Sequence, residues 1–216
     1  MSANQSRLAL LIDVFDHPAQ RALALPTLRP AEFVAAIIEE FREIEYLGGD
    51  PTTYQLLRTT NRATLDEETP VGQQLVAGER LALVEREQAL PPGTQRPSRP
   101  IYLREQGSGT VYKIQWQPAI IGRPDSGQQD NRRLAVDLSA HSAGQRVSRR
   151  HAQIVESNGQ FYAEHLAENP TVVKSSAGMT TRVERERQPI ANGDIIVLEN
   201  SQISLKVILL DQELAA

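Results

Sequence analysis

The chain has 216 residues, 40% of them hydrophobic and 23% charged, with a formal net charge of -4 and no cysteine. That describes an ordinary folded protein with room for one or two cores. It excludes a disulfide framework, a thiol nucleophile and a cysteine-based metal site.

Charge is uneven along the chain. Residues 1–95 hold 8 Lys+Arg against 14 Asp+Glu, whereas residues 96–216 hold 15 against 13. The first half is too acidic to suit nucleic acid, and the second is not basic enough to argue for it. Aromatic residues at 5% leave no stacking platform for single strands. Residues 1–7 lead into an apolar run broken at Asp13, too short and too soon charged for a secretory leader. No window approaches the ~20 apolar residues of a membrane helix. A cytoplasmic location is expected.

Residues 8–15 form an apolar run of strand length ended by Asp16-His17-Pro18, and the alternation over 20–26 pairs with it as a hairpin. The period then changes. Phe33, Ile37, Phe41 and Ile44 fall at helical spacing behind Pro30, which suits a first helical position, and Gly48-Gly49-Asp50-Pro51 stops the helix. Residues 53–58 predict a strand, 71–75 a short turn, and Gly78-Glu79-Arg80 opens a last strand over 81–84. This order resembles the ubiquitin-like β-grasp fold, which implies a domain used as a docking surface for proteins. Gly48-Gly49 is internal and reads as a helix stop, not as the C-terminal tail of a conjugated modifier.

Residues 88–100 carry four prolines and no apolar period, the composition of a stiffened linker. The expected domains are therefore 1–87, a linker over 88–100, and 101–216.

The second half is a series of short apolar runs between turn signals without a helical period, which predicts an antiparallel β-sandwich. The runs are 101–103, 111–114, 119–121, 134–138, 152–156, 160–164, 172–173, 195–198 and 203–210. Overall the fold class is mainly β, an α+β domain followed by a sandwich.

One cluster of side chains stands out. Gly122-Arg123 ends an apolar run, and Ser148-Arg149-Arg150-His151 precedes the next alternating one. A hydroxyl and guanidiniums brought together make an anion site, because the fork of arginine matches phosphate oxygens in pairs. Alone, Arg123 would be an ordinary surface arginine and Ser148 a turn residue or cap. Between 122 and 151, six arginines stand against three aspartates, a local surplus of positive charge that steers a dianion.

With Glu168-Asn169-Pro170-Thr171 and Asn192-Gly193-Asp194 following in order, residues of about 101–210 resemble the forkhead-associated (FHA) domain family, a sandwich that reads phosphothreonine. The resemblance implies that Arg123 and Ser148 bond the phosphate and that Arg149 adds its backbone N–H. Asn169 would clasp the peptide main chain and Thr171 shape its turn, while Gly122 and His151 support the site. Two positions depart from the family pattern. Pro170 stands where a glycine is usual, removing an amide donor and positive-φ freedom. Glu168 stands where a small hydroxyl residue is usual, placing a carboxylate near the expected phosphate.

The expected function is a non-enzymatic phosphothreonine-binding adaptor in bacterial-type Ser/Thr kinase signalling or assembly. The alternative is a phosphate-independent structural or oligomerising subunit that contacts proteins through its β-grasp half. No glycine-rich phosphate loop, catalytic pair or metal-ligand spacing announces an enzyme, so neither a cofactor nor a metal is expected. His17, His141 and His165 are scattered.

Overall fold

The computed structural model describes residues 7–127, 129–184 and 187–211. The chain divides into two compact units, Met1–Glu87 and Gln88–Ala216.

In the first unit, β1 (Leu8–Val14) and β2 (His17–Ala24) form an antiparallel hairpin. Leu10, Ile12 and Val14 alternate inward from β1, as a half-buried strand requires. Helix α1 (Pro30–Glu40) begins where the Glu32 carboxylate accepts the Arg29 N–H at 2.8 Å, satisfying one of the free amides at a helix start. Its buried face is Phe33, Val34, Ile37 and Ile38. Strand β3 (Tyr54–Arg58), the short helix α2 (Val71–Gln74) and β4 (Arg80–Glu85) complete the unit. The sheet runs β2-β1-β4-β3, with β1 and β4 parallel.

The helical spacing predicted as far as Ile44 overshoots the helix by a turn. After Glu40 the chain tightens into i→i+3 bonds, Ile44 N–H to Phe41 O and Leu47 N–H to Ile44 O. These shorter steps keep Ile44 and Leu47 buried without α geometry. Gly48 N–H then donates to the buried Tyr54 hydroxyl at 2.6 Å, tying the glycine turn to β3.

In the second unit the strands are β5 (Ile101–Glu105), β6 (Val111–Lys113), β7 (Ala119–Gly122), β8 (Leu134–Asp137), β9 (Ala152–Ser157) and β10 (Gln160–His165). They are followed by β11 (Thr171–Lys174), β12 (Thr180–Val183), β13 (Gln188–Pro189), β14 (Ile195–Leu198) and β15 (Ile203–Leu209). A five-stranded sheet, β13-β10-β9-β7-β8, and a six-stranded sheet, β12-β11-β14-β15-β5-β6, enclose one core. Ile121, Ile154 and Phe161 of the first sheet and Leu103, Ile196 and Leu205 of the second are buried in it, so this is a sandwich.

The expected all-antiparallel pairing fails at one place: β7 and β8 are parallel. A parallel neighbour needs a long crossover, and here it runs from Arg123 through a 3-10 turn at Gln129–Arg133. Arg123 is the first residue of that crossover, directly after β7.

The proline-rich stretch lies along the second unit. Gln95 and Gln117 exchange backbone hydrogen bonds at 3.0 and 2.8 Å. The Arg133 guanidinium donates to Pro92 O at 2.8 Å, and Ser98 N–H donates to the Glu156 carboxylate at 2.8 Å. Prolines donate nothing, so side chains and neighbouring amides make the bonds that hold the segment.

Candidate phosphopeptide site

The site is built where the ends of β7 and β9 meet the loops that enter and leave them. His151 N–H donates to Ile121 O at 2.9 Å and Arg123 N–H to Arg149 O at 3.3 Å, so the Gly122-Arg123 and Ser148–His151 backbones run side by side. Their closeness explains Gly122. A Cβ there would sit 2.2 Å from Arg149 O, a distance that only a shift of backbone relieves. Glycine is required for the approach, not for its turn geometry.

The Arg123 side chain is clamped by its own loop. Its Nε–H donates to Val147 O at 2.9 Å, which occupies the inner edge of the guanidinium and leaves the two Nη groups for the hollow beside it. That hollow, of about 580 Å³, is lined by Arg123, Gln145, Arg146, Val147, Ser148, Asn169 and Asn200. The lining holds two guanidiniums and no carboxylate.

A chain of side-chain bonds crosses the floor. Asn200 Nδ2 donates to Asn169 Oδ1 at 2.8 Å, and Asn169 Nδ2 donates to Ser148 Oγ at 3.1 Å. Each donor in the row polarises the next. Because Ser148 Oγ is already an acceptor, its proton is left to donate outward, and Asn169 keeps a second Nδ2 proton. Arginine fork, hydroxyl and amide thus offer donors and no competing charge, which is what a phosphate requires.

His151 is the strut. It is fully buried, and Ser148 N–H donates to its Nδ1 at 3.4 Å, so the ring is the Nε2–H tautomer. Burial, the largest influence, pushes its pKa below the ordinary histidine value, opposed by the Pro170 carbonyl and reinforced by His165. The ring is therefore neutral at pH 7 and holds Ser148 in place by accepting from its amide. Asp194 acts similarly at the far turn: it is buried, and its carboxylate accepts Ser176 N–H at 2.9 Å and Ala191 N–H at 2.8 Å.

Of the five residues expected to touch a phosphopeptide, Arg123, Ser148 and Asn169 share the hollow. Arg149 does not line it; its exposed guanidinium lies 3.6 Å from Asp125 Oδ1, and its carbonyl takes the Arg123 amide. Thr171 does not line it either. It is fully buried at the start of β11, with its hydroxyl 3.3 Å from His165 Nδ1. Glu168 is exposed and outside the lining, so the carboxylate feared there does not fill the hollow. Sequence reasoning missed Gln145, Arg146, Val147 and Asn200. The only signals were the arginine two positions before Ser148 and a polar turn, Glu199-Asn200-Ser201, between two apolar runs.

Residues 119–199 match the family model described as FHA domain. Among solved structures, the chain is similar to the FHA domain of human APLF, seen in complex with an XRCC1 bisphospho peptide, at 21% identity and a TM-score of 0.38. That match covers 51% of this chain and 99% of the other. It is similar to Mycobacterium tuberculosis EmbR, in complex with a low affinity phosphopeptide, at 22% identity and 0.39, covering 51% and 24%. It is also similar to the yeast Dun1 FHA domain, in complex with a doubly phosphorylated peptide derived from Rad53, at 18% identity and 0.37, covering 58% and 84%. No curated protein sequence matches the chain. An FHA domain occupies residues 119–199.

Proposed function

We propose that the chain is a phosphothreonine-dependent adaptor without enzymatic activity, whose second unit grips the phosphate and whose first unit contacts other proteins. The observation that carries this reading is the convergence on one carboxylate-free hollow of Arg123, held at Nε, and Ser148, held by Asn169. A dianion there gains charge-assisted bonds of about 1.5–3 kcal/mol each. The complex is of micromolar class, because one phosphate and a short peptide bury little area. Threonine is preferred to serine through a niche for its γ-methyl, worth roughly 1 kcal/mol.

The ubiquitin-like β-grasp reading of residues 1–87 is supported by the β2-β1-β4-β3 order with a parallel central pair. In this proposal residues 88–100 join it to a phosphopeptide-binding sandwich over 101–216, and the whole works in the cytoplasm in bacterial-type Ser/Thr kinase signalling or assembly. Calorimetric titration with matched threonine, phosphoserine and phosphothreonine peptides tests the central part. Only the phosphothreonine form is expected to bind in the micromolar range, and equal affinity for all three would refute it.

A second reading, a phosphate-independent oligomerising subunit, is favoured by apolar side chains that the first unit leaves in water, Leu23 at 62% and Val76 at 70% exposure. Partner binding that survives Arg123→Ala but is lost on deleting residues 1–87 would select it.

A further inference from the structure

We infer that the free edge of β2 docks the same edge of a second copy of this chain, joining two four-stranded sheets into one of eight. The inference does not rest on the phosphothreonine reading, and it gives self-association a surface and a register.

Strand β2 is the edge of its sheet, and the bonds of β1 decide which backbone groups of β2 are free. Leu11 N–H donates to Glu79 O, and Ala9 O accepts from Gly78 N–H, so Ala9 and Leu11 face β4. Backbone groups alternate sides along a strand, which turns Leu10 and Ile12 toward their partners Ala22 and Gln20. Arg21 and Leu23 therefore point their N–H and C=O groups outward, and both side chains are exposed. Among the described residues these four groups meet one partner: the Arg7 guanidinium donates to Leu23 O at 3.3 Å, an exposed contact that another strand's amide can replace. An edge with an exposed leucine and no lysine is a template for a further strand.

The residues of this edge suit a copy of themselves. Pro18 and Pro26 stand four positions either side of Ala22 and end the stretch that can pair. An antiparallel pair centred on Ala22 sets Arg21 of each copy against Leu23 of the other. Each such pair exchanges two hydrogen bonds, so every outward group of both copies is used. No like charges face each other, and each arginine stem covers a leucine. The neighbouring registers fail. Centring on Arg21 opposes two guanidiniums and needs Ala19 N–H, which already donates to the Asp13 carboxylate at 2.7 Å. Centring on Leu23 needs Leu25 O, which already accepts Leu28 N–H at 3.1 Å.

The test uses the full chain, treated with phosphatase so that no phosphate-borne contact contributes. In sedimentation equilibrium the mass should rise from one chain toward two between about 10 μM and 1 mM, the range of a small interface. Leu23→Pro removes an outward N–H that the hairpin does not use. It should weaken the dimer at least about ten-fold, with the melting temperature of the first unit within a few degrees of wild type. Because the chain has no cysteine, Ala22→Cys reports the register. At the two-fold axis the two Cα atoms of residue 22 lie about 4.5 Å apart, within disulfide reach. Those of residue 21 lie on a diagonal at roughly 7–8 Å, beyond it. Oxidation should therefore link copies carrying Ala22→Cys and not copies carrying Arg21→Cys. A single-chain mass throughout, a dimer that Leu23→Pro leaves unchanged, or equal linking of the two cysteine variants overturns the inference and leaves phosphothreonine binding untouched.

Discussion

Two groups of arginines, one in each unit, are handled in opposite ways. In the first, Arg58 pairs with Glu79, Arg80 with Asp13 at 2.8 Å, and Arg86 with Glu67. Each of these cations finds its counter-charge within its own unit. In the second, Arg123 and Arg146 face a hollow without a carboxylate, and the one contact that orients Arg123 is to a neutral carbonyl. A guanidinium aimed by a neutral acceptor keeps its full charge for a ligand, whereas one aimed by a carboxylate has already spent it. Those three arginines of the first unit hold its fold, whereas the fold of the second unit holds Arg123 and Arg146 toward the hollow.

Four substitutions sharpen or break that contrast. The largest effect is expected at the backbone that positions Arg123. Gly122→Ala puts a Cβ against Arg149 O and should cost about 3 kcal/mol of stability in the second unit, by denaturant unfolding. Arg58→Met should cost about 2 kcal/mol in the first, because Glu79 and the Gln74 carbonyl both lose a part-buried donor. It should leave phosphopeptide affinity unchanged; a change there would break the separation of roles.

The third effect is that of His151. Its folded pKa lies below the unfolded value because burial disfavours the charged ring, so the unfolded chain takes up the proton first. The stability of the second unit is accordingly full above about pH 6.5 and falls below it, by at most about 1.4 kcal/mol per pH unit, levelling once the folded ring titrates. Thermal unfolding across pH 5 to 8 should show this fall, and His151→Asn should lessen it, leaving the smaller share of His165, which burial also pushes down. The smallest effect belongs to Asn200→Ala, which removes the end of the amide row behind Ser148. It should weaken phosphopeptide binding about three-fold with little change in melting temperature, as a loss of roughly 0.6 kcal/mol requires.

What could be read from the residues alone follows contact distance along the chain. Gly122, Arg123, Ser148 and His151 were legible because a close approach of two backbones, and the loops beside it, need particular residue types at particular offsets. Asn200 was not, because it reaches Asn169 from 31 positions away across a turn that any polar residue satisfies. Thr171 lies inside, where a turn-shaping residue belongs. It begins the β11 run and is fully buried, so its hydroxyl serves His165 and not a ligand. Arg149 and Arg146 both flank Ser148 in sequence, and only the 3-10 turn before Val147 decides which of them faces the hollow. The parallel β7–β8 pair escaped notice because a polar loop looks the same whether it closes a hairpin or carries a crossover. In the first unit the strands fall where apolar alternation places them, while the end of α1 does not, since i→i+3 turns bury the same residues as a helix.

The claim on which the rest depends is that a fixed guanidinium and a polarised hydroxyl hold one phosphate. Titration calorimetry of a phosphothreonine peptide against wild type and Arg123→Ala tests it most directly. Affinity should fall at least about 100-fold, with the melting temperature of the second unit within a few degrees of wild type. Phosphopeptide affinity within two-fold of wild type in Arg123→Ala would contradict it.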